Sequence, residues 1–122
     1  MKKKLLVLIV AYNYEKFIKS VLDRINDNLF KTYNVEVLIN DDSSLDNTLN
    51  ITKDYIKNNS HKKIKYTVLS NPVNQGYGGN QKIGFLYAIK NNFDFVALIH
   101  GGGQYAPEYL ETLVEPLYDE NT

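Results

Sequence analysis

The stretch LLVLIVA, Leu5 to Ala11, is an uninterrupted aliphatic run. A strand with one wet face alternates apolar and polar residues. A strand that does not alternate is covered on both faces, as happens in parallel sheets flanked by helices. The run therefore predicts a strand and also the layers that enclose it. Val35 to Ile39 and Phe95 to Ile99 read as two further strands. Ile64 to Leu69 alternates, with Ile64, Tyr66 and Val68 on one side and Lys65 and Thr67 on the other, which places it nearer a sheet edge.

Between these runs the apolar spacing changes to that of helices. Phe17, Ile18, Val21, Leu22, Ile25 and Leu29 share one face, with Asn13 available as a cap. Leu45, Leu49, Thr52, Tyr55 and Ile56 follow DDSS on a second helix, and Ser43 and Asp46 have capping-box spacing at its start. Ile83, Leu86, Tyr87 and Lys90 share a face of a third helix that ends at Asn91 and Asn92. Pro107 suits the first turn of a fourth, carrying Leu110, Leu113, Val114 and Leu117. The order βαβαβαβα predicts an α/β fold, a Rossmann-like parallel sheet with right-handed crossovers and helices on both faces.

A chain of 122 residues with no linker or low-complexity segment is expected to form a single domain, residues 1–122. Its 14 basic and 14 acidic residues cancel, so no global field recruits nucleic acid or an anionic membrane, and any anion must be held locally. The absence of cysteine excludes disulfides and thiolate metal sites and fits a reducing compartment; a cytoplasmic location is expected. MKKK followed by an apolar run imitates a secretory signal. The run is short for one, and no small-x-small cleavage site follows, so a buried first strand is the better reading. No stretch has the roughly 18–20 apolar residues of a membrane span.

In open parallel sheets ligands bind beyond the carboxyl ends of the strands, where strand order reverses. The unusual segments all lie at such ends: AYN after the first strand, NDDSS after the second, NPVNQGYGGN after the third and HGGGQ after the fourth. Asp41 and Asp42 are adjacent carboxylates that need partners; one can cap the following helix and the other can accept from a ligand, such as a base imide or ribose hydroxyls. Gly76, Gly78 and Gly79 either make a tight turn or let a phosphate approach backbone amides, with Lys82 adding charge. Gln81 stands where a dinucleotide fingerprint needs glycine, and the Gly-Lys-Ser/Thr of a Walker loop is missing. Tyr12 is either a packing aromatic or a platform for a flat base, Asn13 a cap or a contact. Glu15 and Lys16 read as a solvated first turn. His61 lies in a polar loop, whereas His100 sits directly at a strand end.

In order and spacing, VLIVAYNYEKFI, VLINDDSSLDNT, NQGYGGNQKIG and HGGGQYAPEYL resemble the nucleotide-binding half of family 2 glycosyltransferases of the GT-A fold. Together the segments span nearly the whole chain. The resemblance implies a nucleotide-diphosphate sugar, a UDP- or GDP-sugar, bound across the carboxyl edge of the sheet. It assigns Ala11 and Tyr12, with Asn13 beside them, to the base pocket, Glu15 to an acidic position near the nucleotide, and Asp42, with Asp41 beside it, to the base. Asn74, Gly76 and Lys82 match the loop nearest the nucleotide and its diphosphate.

The fourth segment departs from the family pattern. The family carries an Asp-x-Asp-type element whose last aspartate binds a divalent cation, Mg²⁺ or Mn²⁺, on the diphosphate; here His100, Gly101 and Gly102 occupy those positions. Glycine has no side-chain oxygen, so weakened metal affinity and impaired transfer are expected unless another carboxylate, of which Glu108 is a candidate, substitutes. The resemblance also implies that the acceptor site and the catalytic base follow this half. The sequence ends at Thr122, so a truncated domain without that base is expected, with an uncovered apolar surface through which it can self-associate. Two rivals remain: a non-catalytic nucleotide-sugar binding or interaction module, and an unrelated Rossmann-like dinucleotide binder.

Overall fold

The computed structural model describes residues 2–25, 29–59, 64–100 and 115–116. Its strands are β1 (Lys3–Ala11), β2 (Tyr33–Asp41), β3 (Lys65–Ser70), β4 (Phe95–His100) and β5 (Glu115–Pro116). They form one sheet of order β3-β2-β1-β4-β5, in which β1 to β4 are parallel and β5 is antiparallel to β4. The helices are α1 (Ile18–Asp23), α2 (Leu29–Thr32), α3 (Thr48–Asn58) and α4 (Gly76–Lys90).

The aliphatic run from Leu5 to Ala11 sits where its composition requires, on a strand paired on both sides and buried on both faces. Leu5, Val7, Ile9 and Ala11 face one core, shared with Ile18, Val21 and Leu22 of α1 and Tyr55 of α3. Leu6, Leu8 and Val10 face the other, with Ala88 of α4, Phe93 and Val96. Burial of each such large side chain contributes about 1.5–3 kcal/mol. The alternating strand β3 is at the edge of the sheet, as its pattern predicts. Strand order reverses between β1, followed in the sheet by β2 and β3, and β4 on its other side. This is the switch point at which ligands enter sheets of this class.

The structure corrects several local expectations. Asn13 is not the cap of α1: the helix begins at Ile18, and Asn13 has a left-handed φ of 50°. The capping box at Ser43 and Asp46 is not formed, because α3 starts at Thr48 and Ser43 has φ 60°. Leu45 belongs to the loop and is 86% exposed rather than on a buried helical face. The glycine segment is mostly helix: α4 begins at Gly76, and only Gly76, at φ +76°, uses a conformation that favours glycine.

The inward row of α4 is Asn80, Gly84 and Ala88, and Leu86 of the expected face is 55% exposed. Small residues at this row let the helix lie close to β1; a Cβ on Gly84 would be 2.5 Å from Cδ1 of buried Leu8. Lower on the same helix, Tyr87 donates to the buried Glu36 carboxylate, which also accepts from Thr67 Oγ1 at 2.8 Å. Burial and that contact raise the Tyr87 pKa above 10.0. The helix expected to run through Leu117 is replaced at residues 115–116 by β5, and Pro107 to Val114 lie outside the described residues. Proline in β5 is at the outer strand of the sheet, where the lost amide donor costs least.

Candidate functional site

The loops leaving β1, β2 and β3 are joined side chain to backbone at the carboxyl edge. Asn13 N donates to Ser44 Oγ at 2.9 Å, and Asn13 Oδ1 accepts from Leu45 N at 2.8 Å. Tyr14 N donates to Thr48 Oγ1 at 2.7 Å, and Glu15 N to Asp46 Oδ2 at 3.2 Å. These bonds take up amides that the turn leaves without strand or helix partners. They also leave Tyr12, 47% exposed, on the edge next to the end of β1.

Asp46 is what organises the start of α3. It accepts from Thr48 N at 3.0 Å and from Thr48 Oγ1. Burial alone would raise its pKa, but the donors from Thr48 and Glu15 outweigh that and hold the carboxyl below its ordinary value. Tyr14 is 4% exposed, and its hydroxyl has no hydrogen-bond partner among the described residues. Burial pushes its pKa up, against a smaller opposing effect of Arg24.

Adjacent in sequence, Asp41 and Asp42 have different surroundings. Both carboxylate oxygens of Asp41 are engaged by Ser44, through its hydroxyl and its amide at 3.2 Å. Neither aspartate caps α3. Asp42, 3% exposed, turns to α4: its Oδ1 accepts from Gln75 N at 2.7 Å and from Asn71 Nδ2 at 2.8 Å. Its own N–H donates to Ala11 O at 2.9 Å, which joins the ends of β1 and β2.

Asn74 closes the third loop, donating to Asp42 O at 3.0 Å and accepting from Gly76 N at 2.9 Å. The amides of Gln75 and Gly76 thus have protein acceptors. What this end of α4 leaves open is space: a Cβ on Gly76 or Gly78 would meet nothing within 4 Å. Lys82 is exposed on the turn of helix that follows Gly78.

The structure therefore brings together Ala11, Tyr12, Asn13, Glu15, Asp41, Asp42, Asn74 and Gly76 at one edge. His100 ends β4 in register with Val10, which is itself in register with Asn40. Gly101, Gly102, Glu108 and His61 lie outside the described residues. Among the described residues no three His, Cys, Asp or Glu side chains converge as metal ligands. Sequence reasoning missed Ser44, Asn71 and Asn80 and placed Asp46 only in a capping box; all four are supports. Their signal is the density of Asn, Asp, Ser and Thr in NDDSSLDNT and SNPVN, residue types that bond locally to backbone.

Residues 6–122 match the model of glycosyl transferase family 2. The chain belongs to that family. Among relatives of this member is the UDP-N-acetylglucosamine--dolichyl-phosphate N-acetylglucosaminyltransferase of Methanococcus voltae, 28% identical over 130 residues, covering 99% of this chain and 50% of the relative. An uncharacterized protein of Methanocaldococcus jannaschii is 28% identical over 118 residues, 96% of this chain and 48% of that protein. The chain thus spans about half the length of the curated relatives it matches.

Two solved structures share the family fold. S. aureus TarS in complex with UDP-GlcNAc superposes with a TM-score of 0.68 at 26% identity, over 92% of this chain and 30% of that one. The Pyrobaculum calidifontis mannosyltransferase in complex with GDP-Man and Mn2+ gives 0.71 at 17% identity, over 89% and 30%. The second likeness bears on the fold alone. Among the described residues no helix is long and apolar enough to cross a membrane.

Proposed function

We propose that this family 2 chain is the donor-binding half of a GT-A glycosyltransferase, holding a nucleotide-diphosphate sugar at the carboxyl edge of its sheet for transfer to a glycan, lipid or protein acceptor. The observation that carries the reading is Asp42. It is a buried carboxylate at the carboxyl edge of the sheet, directly after β2, held by two donors on one oxygen, with an exposed tyrosine on the adjoining loop. In this reading Asp42 accepts an N–H of the base and Tyr12 stacks on its ring. Stacking of this kind is worth about 1–3 kcal/mol. The bare first turn of α4, Gly76 and Gly78 with Lys82 beyond, lies beside the diphosphate and places a cation near it.

Transfer then joins an acceptor hydroxyl oxygen to the anomeric carbon as the bond from that carbon to the diphosphate breaks. The hydroxyl proton passes to a base, and the nucleoside diphosphate departs. No described residue is assigned as that base, which the reading places in an acceptor-binding half beyond the donor half. The family resemblance implies a divalent cation on the diphosphate, and this chain has Gly102 at the expected ligand position, so the reading includes weak cation dependence. It also includes a cytoplasmic location and self-association through apolar surface outside the donor site.

Titration calorimetry with UDP, GDP and NAD tests the assignment. Binding of UDP or GDP, weakened about tenfold or more by Asp42→Ala, is expected. Tight binding of NAD with neither nucleoside diphosphate would defeat it.

A further inference from the structure

Behind Asp42 runs a buried line of asparagines that the nucleotide-binding reading leaves unused. Asn40, Asn71 and Asn80 are 0%, 7% and 2% exposed. Asn40, Asn80 and Asn71 come from β2, α4 and the loop after β3, and each amide is oriented by the one before it. The backbone carbonyl of Asn40 can only accept, so Asn80 must turn its Nδ2 toward it, at 3.0 Å. That leaves Asn80 Oδ1 facing Asn71, whose Nδ2 donates to it at 2.9 Å. The second hydrogen of the same Nδ2 goes to Asp42 Oδ1 at 2.8 Å. Flipping the Asn71 amide would set an acceptor against two acceptors. The orientation is therefore fixed from a backbone carbonyl through to one named carboxylate oxygen.

The consequence is asymmetry in Asp42. Its Oδ1 accepts from both Asn71 and Gln75 N, whereas Oδ2 accepts from no described residue. Among the described residues the buried Asp42 thus keeps one oxygen uncommitted, with its plane held by the other. A uracil-type base presents a single imide N–H flanked by two carbonyls, which matches one available acceptor. Guanine presents two parallel donors, N1–H and N2–H, which match a carboxylate with both oxygens available. On this site the second guanine donor would be left unmatched at a desolvated position, which is costly.

We propose that Asn71, held by Asn80, is a positioning residue that commits one oxygen of Asp42 and thereby selects an imide pyrimidine over guanine in the nucleotide donor. The proposal rests on the reading of the carboxyl edge as a nucleotide-sugar site.

The test is calorimetry with UDP and GDP on the unaltered protein and on Asn71→Ala and Asn80→Ala, with thermal unfolding to establish that each variant is folded. The unaltered protein is expected to bind UDP at least about tenfold more tightly than GDP. Asn71→Ala is expected to bring that ratio toward unity, and Asn80→Ala to move it in the same direction by less. A general loss of stability would weaken both ligands alike and leave the ratio in place. Equal or tighter binding of GDP by the unaltered protein would overturn the proposal while leaving the donor-site reading standing. An unchanged ratio in a folded Asn71→Ala would overturn it too. If that variant does not fold, the ratio in the unaltered protein decides. Binding of neither ligand would remove the donor-site reading and the proposal with it.

Discussion

Within six residues of sequence, Asp41, Asp42 and Asp46 are told apart by what donates to them. Asp41 closes its own turn through Ser44, Asp42 anchors the start of α4, and Asp46 organises the start of α3. The sequence shows three acids in a loop but not which donor each will meet, because those donors come from segments as distant as Glu15 and Gln75. Asp46 can be checked on its own. Its pKa is depressed below 3.8, so its contribution to stability is present above that value and is lost as pH falls through the lower, folded-state pKa. Asp46→Asn keeps an acceptor for Thr48 but cannot titrate. It is expected to lower neutral-pH stability by about 1 kcal/mol and to make the acid-side decline shallower than in the unaltered protein. Urea midpoints followed from neutral pH through the carboxylate range measure both, and an unchanged slope would show that the Asp46 bonds are not the source.

At the scale of elements, the legible parts are those where one pattern suffices. The strands were readable because a covered strand must be continuously apolar, as in β1, and an edge strand alternating, as in β3. The helix faces were less so. In α4 the large residues Leu86 and Ile89 point to solvent, 55% and 49% exposed, and the buried row consists of Asn80, Gly84 and Ala88. Hydrophobic periodicity fails there because closeness, not apolar bulk, is what the interface with β1 selects. Asn80 is tolerated in that row only because each of its amide groups has a partner in the asparagine line. The prediction at this scale is Gly84→Ala. Alanine is the better helix former by about 1 kcal/mol, yet its methyl would overlap Leu8, fully buried in β1. Overpacking is expected to win, with a net destabilisation of about 1–3 kcal/mol in thermal or urea unfolding. A stabilised variant would mean that α4 can stand further from the sheet than this geometry has it.

For the molecule as a whole, the carboxyl and amino edges of the sheet are built for different purposes. At the amino edge Lys4 and Asp94 exchange two backbone-centred bonds, Lys4 N to Asp94 Oδ2 at 2.8 Å and Asp94 N to Lys4 O at 2.9 Å, and the Lys4 ammonium lies 4.6 Å from the centre of the Phe93 ring. That edge is closed by links between the start of β1 and the turn before β4. The carboxyl edge is finished by side chains from three loops, and a ligand placed on Asp42 would touch the element that ties them. Amide exchange separates the two. A site at the carboxyl edge means that any opening which frees the amides of Asp42, Asn71 or Gln75 also disrupts the bound nucleotide. With nucleotide at 100 times its dissociation constant, such openings are suppressed by about 2.7 kcal/mol, so these amides are expected to slow by about a hundredfold. The Asp94 amide can exchange through openings of the amino edge that leave the ligand in place, and it is expected to slow much less. Uniform slowing of both edges would mean that both exchange only by global unfolding. Slowing confined to the Asp94 side would put the ligand at the wrong end of the sheet and overturn the assignment of the site.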